Sequence, residues 1–180
     1  MCGADVYEVK GVIEVREQSG RPEDWIEESV KRNGNRLLRT AAAVIGGIAE
    51  AEDIVQDAFV KLLEKQPLFE SDEHETAWLI RVTVNLCKSR LRSHWWKTTV
   101  PLTETIPARD EGQQEIVDTV MSLPAKYRTV IHLFYYEGYP TKQIADITKQ
   151  KDSTVREQLT RARRMLKKYL EEGDGIYERI

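Results

Sequence analysis

Arginine and glutamine can each bond a base edge through two hydrogen bonds at once. The stretch "STVREQLTRARRMLKKYL", residues 153–170, carries both near the start of a segment with helical spacing. With Val155 as the zero of a wheel at about 100° per residue, Leu159, Ala162, Leu166 and Tyr169 cluster around it. Arg156, Arg164, Lys167 and Lys168 point the other way, with Arg161 and Arg163 at the flanks. One basic face on one helix is what any solvated helix can show. The preceding residues change the reading. "TKQIADI" is a short helix with Thr141 as its expected cap. A tight turn follows, then a helix capped by Asp152 or Ser153, which is the spacing of a helix-turn-helix. In that motif the first residues of the second helix enter the major groove, here Ser153, Thr154, Arg156, Glu157 and Gln158. Arg156 suits a guanine edge and Gln158 an adenine edge. Arg161, Arg163, Arg164, Lys167 and Lys168 suit phosphates.

Other chemistries lack their residues. His74, His94 and His132 are scattered, with no HExxH, phosphate-binding glycine loop, GxSxG or dinucleotide fingerprint. Glu73 and Glu75 flank His74 in a charged stretch that reads as a solvated loop. Cys2 and Cys87 stand alone, as reduced thiols do in a cytosolic protein. The expectation is a protein that is not an enzyme, with no catalytic residue, cofactor or metal. The longest weakly polar run, "AAAVIGGIA" at 41–49, is far too short to cross a bilayer. "MCGADVYEVK" has no secretory pattern, so a cytoplasmic location is expected.

Net charge hides the basic segment. The chain of 180 residues is formally −3, yet residues 76–97 hold Arg81, Lys88, Arg90, Arg92 and Lys97 with no acid. Residues 141–170 oppose many bases with only Asp146, Asp152 and Glu157. Two basic zones are the footprint of a polyanion partner. Residues 1–28 are acidic by contrast, and the extension is a candidate shield for the basic lobes.

The elements that position these zones are helical. "WIEESVKRNGNRLLRTAAAVIG" places Trp25, Ile26, Val30, Leu37, Leu38, Ala41 and Ile45 at mostly helical spacings, with "NGN" as an irregularity and Gly46-Gly47 as the stop. In "AEAEDIVQDAFVKLLEK" the stripe is Ala51, Ile54, Val55, Ala58, Phe59, Leu62 and Leu63. "QPLFESDEH" reads as a loop, and "ETAWLIRVTVNLCKSRLRSHWW" as a third helix despite Val82, Thr83 and Val84. Residues 97–114 contain Pro101, Pro107 and Gly112 with little periodicity, so they read as a flexible, mildly acidic linker. "EIVDTVMSL" is a short helix stopped by Pro124, and "AKYRTVIHLFYYEG" a helix ended by Gly138. The expected fold class is all-α, with two small helical domains joined by a flexible linker. The expected boundaries are 1–22 for an N-terminal extension, 23–96 for the first domain, 97–114 for the linker, 115–172 for the helix-turn-helix domain and 173–180 for a tail.

These segments resemble a known family. "LPAKYRTVIHLFYYEGYPTKQIADITKQKDSTVREQLTRARRMLKK" resembles region 4 of bacterial sigma factors of the extracytoplasmic-function (ECF) type. "AEAEDIVQDAFVKLLEK" resembles region 2.2 of the same family, and "TAWLIRVTVNLCKSRLRS" its regions 2.3 and 2.4. The resemblance covers about residues 24–171. It implies a factor that binds core RNA polymerase, carries it to promoters and opens the DNA. Asp53, Gln56, Asp57 and Lys61 would meet the clamp helices of the polymerase, and part of the second domain its flap tip. Asn85 matches the asparagine that helps hold a flipped base of the minus-ten element, and Lys88, Arg90 and Arg92 suit its phosphates. Phe69, Glu70 and Ser71 fall in the place of the specificity loop. Trp78 fits either base contact or core packing. The basic helix would read the minus-thirty-five element. An anti-sigma factor is a partner the family leads one to expect, and no membrane insertion is implied.

The chain departs from the family at Ser89, where an acid is usual, and at the turn Thr148-Lys149-Gln150-Lys151. Lys149 must there take a backbone conformation that glycine takes cheaply. The rival reading is a conventional helix-turn-helix regulator that acts without being a polymerase subunit. It leaves the match over residues 50–95 unexplained.

Overall fold

The computed structural model describes residues 22–94 and 118–177, and every regular element among them is a helix. The extension before residue 22, the linker and Trp95-Trp96 lie outside the described residues. The first lobe consists of α1 (Pro22–Ile45), α2 (Ile48–Lys65) and α3 (Asp72–His94). The second comprises α4 (118–122), α5 (Ala125–Ile131), a π-helical turn (His132–Tyr136), α6 (Thr141–Thr148) and α7 (Asp152–Tyr177). Residues 173–177, expected as tail, continue α7.

In the first lobe α1, α2 and α3 pack pairwise around Leu37, Ala41, Val44, Ile54, Leu62, Leu79, Ile80 and Val84. Asn33-Gly34-Asn35 does not interrupt α1. The turn after it forms at Gly46, whose φ of 96° is left-handed and whose N–H donates to Ala42 O at 2.8 Å. On α2 the apolar stripe is buried as its spacing predicts, except for Val55, which is half-buried, and Leu63, which is 43% exposed. At about 100° per residue it lies well round from Ala51, at the stripe's edge. Val30 is likewise exposed on α1. Helix α3 begins at Asp72, inside the stretch read as loop, because the Ser71 hydroxyl accepts the His74 N–H at 3.2 Å and caps the first turn. Thr83 and Val84 are fully buried. Their burial outweighs the few tenths of a kcal/mol by which β-branched residues disfavour a helix.

In the second lobe the expected single helix from Ala125 to Gly138 is α-helical only to Ile131. It then widens into the π turn, where the Glu137 N–H donates to His132 O at 3.0 Å. Gly138, at φ 75°, ends it. Helix α6 starts at Thr141 with Pro140 in the capping position, so Thr141 is not the cap. Lys149 adopts φ 53°, the glycine-like conformation its place in the turn demands. Val155, Leu159 and Ala162 are buried, whereas Tyr169, expected on the same side, is 39% exposed where α7 runs past its partners.

The two lobes touch. Helix α1 packs on α5 and α3 on α6, so the buried apolar residues of both lobes form one continuous cluster.

Candidate nucleic-acid interface

Helix α3 divides cleanly. Leu79, Ile80, Thr83, Val84 and Cys87 face the core. Burial pushes the Cys87 thiol up to about 12, which makes it inert at neutral pH. Trp78, Arg81, Asn85, Lys88 and Arg92 fall at i, i+3, i+7, i+10 and i+14, a single stripe on the opposite side. Four of the five combine an aromatic ring, an amide and two cations named above, and Arg81 joins them by spacing alone. Trp78 and Asn85 are half-buried and Arg92 is exposed. The Trp78 ring meets Phe69 edge-on at 5.9 Å, and Phe69 meets His74 at 5.5 Å. The segment holding Phe69, Glu70 and Ser71 is thereby folded against the first turn of α3, where the Glu70 N–H also faces His74 Nδ1 at 3.4 Å. Trp78 packs against the core from the border of the stripe.

Lys88 is not free at its tip. Its Nζ donates to the Thr148 carbonyl, in the turn of the helix-turn-helix, at 2.5 Å. Burial there, then the charges of Arg92 and Lys149, hold the ammonium below its ordinary range.

On α7, Ser153, Arg156, Glu157, Arg161, Arg163 and Arg164 are exposed, and Thr154 and Gln158 are half-buried. Arg156 pairs with Asp152 at 2.7 Å and Arg161 with Glu157 at 2.5 Å, both one turn apart and exposed, so these bonds hold little free energy against a phosphate or base. Arg163 is more firmly placed: its Nε donates to the Tyr135 hydroxyl at 2.7 Å, and its guanidinium stacks over Phe134 and Tyr135. The Gln158 amide oxygen is buried without a partner, so it must turn outward to read a base.

On α2, Asp53, Gln56 and Asp57 are exposed and Lys61 is half-buried. Val60, seven residues after Asp53, is 50% exposed amid that polar face. With the neighbouring Leu63 it makes a mixed surface suited to docking a protein, a feature the polar residues alone do not reveal.

Sequence reasoning missed the groups between the lobes. Glu137 is buried and pairs with Arg36, 101 residues away, and accepts from the Thr40 hydroxyl at 3.4 Å. Arg128, also buried, donates to Ala43 O at 3.0 Å and Val44 O at 3.3 Å, the last carbonyls of α1, and to Met121 O and Leu123 O in its own lobe. No local spacing signals such distant pairs. Among the described residues no three His, Cys, Asp or Glu side chains converge as metal ligands, and no helix is long and apolar enough to cross a membrane.

Comparison with known proteins matches this division. Residues 29–97 match the family model for Sigma-70 region 2, and residues 113–166 that for Sigma-70, region 4. The chain is 27% identical over 158 residues to the ECF RNA polymerase sigma factor SigM of Mycobacterium tuberculosis, covering 83% of this chain and 81% of that protein. It is 27% identical over 156 residues to the ECF RNA polymerase sigma factor SigW of Bacillus subtilis, covering 76% and 83%. The sigma factor RpoE of Bartonella quintana, solved in complex with the anti-sigma factor NepR, shares the fold with a TM-score of 0.71 at 24% identity, over 83% of this chain and 98% of that one. CnrH, solved with the cytosolic domain of CnrY, superposes with a TM-score of 0.60 at 21% identity, over 84% and 91%. With region 2 and region 4 present in order, one carrying a basic stripe on α3 and the other a helix-turn-helix, the chain belongs to the ECF sigma factors, which bind core RNA polymerase and direct it to promoters.

Proposed function

We propose that the residues of this sigma factor divide their work as follows. The lobe of residues 23–96 binds core polymerase through Asp53, Gln56, Asp57 and Lys61 and contacts the minus-ten element through Asn85, Lys88, Arg92 and Trp78, with Phe69, Glu70 and Ser71 at the specificity loop. The lobe of residues 115–172 reads the minus-thirty-five element through Ser153, Thr154, Arg156, Glu157 and Gln158, while Arg161, Arg163 and Arg164 meet phosphates. Residues 97–114 link the two.

The observation that carries this reading is the single stripe on α3, where an amide, an aromatic ring and three cations share one side with no acid between them. A strand that is unpaired at opening needs a stacking surface, a hydrogen-bonding amide for a flipped base, and cations along its backbone. The factor works in the cytoplasm as a binding subunit without catalysis of its own. An anti-sigma factor is its regulatory partner, in keeping with the complexes in which RpoE and CnrH were solved.

Run-off transcription with bacterial core polymerase on genomic fragments, including the region upstream of its own gene, tests the assignment. Discrete transcripts should depend on the protein and fall strongly with Asn85→Ala and with Arg156→Ala. Unchanged transcripts from both variants refute the residue assignments. Tight, promoter-selective duplex binding by the protein alone, with no transcripts, would favour the conventional regulator.

A further inference from the structure

A small pocket lies where the end of α1, the later turns of α3, α5 and the turn before α7 meet. Its volume is about 200 Å³, roughly the share of six water molecules. Val44, Leu91 and Val130 give it an apolar wall, and Val44 and Val130 are each 1% exposed. Lys88, Arg92 and Lys126 stand around that wall, and among the described residues no Asp or Glu lines the pocket. The partners of the two ammonium groups are uncharged. Lys88 Nζ donates to Thr148 O at 2.5 Å, and Lys126 Nζ lies 4.8 Å from the centre of the Tyr127 ring. Cations gathered on an apolar surface without a counter-charge lose hydration that nothing repays. Burial, then the charges of Arg92 and Lys149, hold the Lys88 ammonium below its ordinary range for this reason.

What the pocket offers a ligand is donors. An ammonium has three N–H groups, so Lys88 keeps two after bonding Thr148 O. Arg92 is exposed and brings a guanidinium. Gln150 lines the same pocket, and its amide oxygen is buried without a hydrogen-bond partner. Half a turn of that amide puts its NH2 group in place of the unmatched oxygen and adds a fourth donor. The hydroxyls of Thr129 and Thr148, by contrast, already donate to the carbonyls of Ala125 and Ile144. The larger cleft lined by Arg32, Arg36, Asp72 and Asp146 lacks this one-sidedness, because Arg32 pairs with Asp72 and Arg36 with Glu137.

We propose that this pocket binds a small amphipathic anion, with its carboxylate or phosphate head held by Lys88, Arg92, Lys126 and Gln150 and its short hydrocarbon tail laid on Val44, Leu91 and Val130. The head supplies the counter-charge that the three cations lack, and the tail displaces water from the apolar wall. The volume limits the tail to a few carbons. A nucleic-acid phosphate has the charge but no such tail, so promoter DNA does not satisfy both halves of the pocket. The site needs only the charges and the wall, and does not rest on the promoter roles proposed above for Lys88 and Arg92. Lys88 belongs to the first lobe and Lys126 to the second, so a bound anion bridges them and stabilises the folded chain as its concentration passes its Kd.

Isothermal titration calorimetry of the full chain tests this with hexanoate and hexyl phosphate as probes, and with acetate, inorganic phosphate and hexanol as their separate halves. Saturable binding of hexanoate or hexyl phosphate, at least about tenfold tighter than any of the halves, is expected. The tighter of the two probes identifies the head group. Gln150→Glu sets a carboxylate among the cations and should weaken that probe at least about tenfold. Lys126→Ala, at an exposed position, should weaken it about threefold. Thermal melting followed by circular dichroism, without ligand, confirms that both variants fold. Nuclear Overhauser effects from the probe's methyl group to the methyls of Leu91 and Val130 locate the tail. No saturation by about 10 mM of either probe overturns the site. So does equal affinity for hexanol, which marks a merely apolar surface, or for inorganic phosphate, which marks a merely cationic one. Affinity unchanged in both folded variants, or Overhauser effects to other methyls only, puts the ligand elsewhere and overturns the proposal as well.

Discussion

Glu75 lies in the stretch that reads as a solvated charged loop, yet it is 3% exposed. Its carboxylate accepts from Ser29 Oγ at 2.5 Å and Asn33 Nδ2 at 3.1 Å, and pairs with Arg32 at 3.0 Å. Asn33 in turn accepts from Thr76 Oγ1 at 2.7 Å, so one carboxylate joins α1 to the start of α3. Replacing it with alanine leaves two buried donors, on Ser29 and Asn33, without their acceptor. Each such loss costs about 1–3 kcal/mol. Arg32 is a third exposed and recovers hydration, so it adds little. We expect Glu75→Ala to destabilise the first lobe by about 2–6 kcal/mol, a large part of a marginal total. Glu75→Gln, which keeps one acceptor oxygen, should cost about half as much. Urea denaturation followed by circular dichroism measures both. An alanine variant within about 0.5 kcal/mol of the parent, with the m-value unchanged, would refute the network as a source of stability.

Lys149→Gly should raise stability by about 0.5–1 kcal/mol. It relieves a left-handed residue worth about 1–2 kcal/mol against glycine's greater unfolded-state entropy. A lower urea midpoint would contradict this. Gly34→Ala should also stabilise, by about 0.5–1 kcal/mol, because the added Cβ lies inside α1 and meets nothing closer than Val30 Cγ1 at 3.9 Å. Thermal melting checks the sign. Burial tends to raise the Glu137 carboxyl, but hydrogen bonds from His132 and Arg36 outweigh it, so its value sits below the ordinary 4.5. Its contribution to lobe docking is present above pH 4.5 and is lost as pH falls through that lowered value. Stability to urea should therefore stay level from pH 7 to about 5 and fall in more acidic buffer, with Glu137→Gln making that fall smaller.

Much of the protein was legible in local pattern. The period of Ala51, Ile54, Ala58 and Leu62 and that of Val155, Leu159 and Ala162 identify the buried sides of α2 and α7, because a helix returns each side chain to the same face every three or four residues. The same arithmetic leaves Asp53, Gln56 and Asp57 outside, and it aligns Trp78, Asn85 and Arg92. Lys149 was identified as a strained turn residue from the family resemblance, as a departure from the usual turn, and it adopts the left-handed backbone. Edges were harder to see. Leu63, Val30 and Tyr169 have helical spacing but no neighbour to cover them, and Glu75 has a polar neighbourhood in sequence but a buried one in space.

The sequence by itself determined the helices, their order, the two sigma regions and the segregation of basic residues, since each depends on residues within a few turns of one another. Tertiary structure alone decided which charges are buried and what they meet. Arg36 finds Glu137 and Arg128 finds the carbonyls of Ala43 and Val44 across more than eighty residues, and Lys88 finds Thr148 across 60. A buried charge is tolerated only beside a partner. That partner is chosen by how whole lobes dock, which no local period in the chain records.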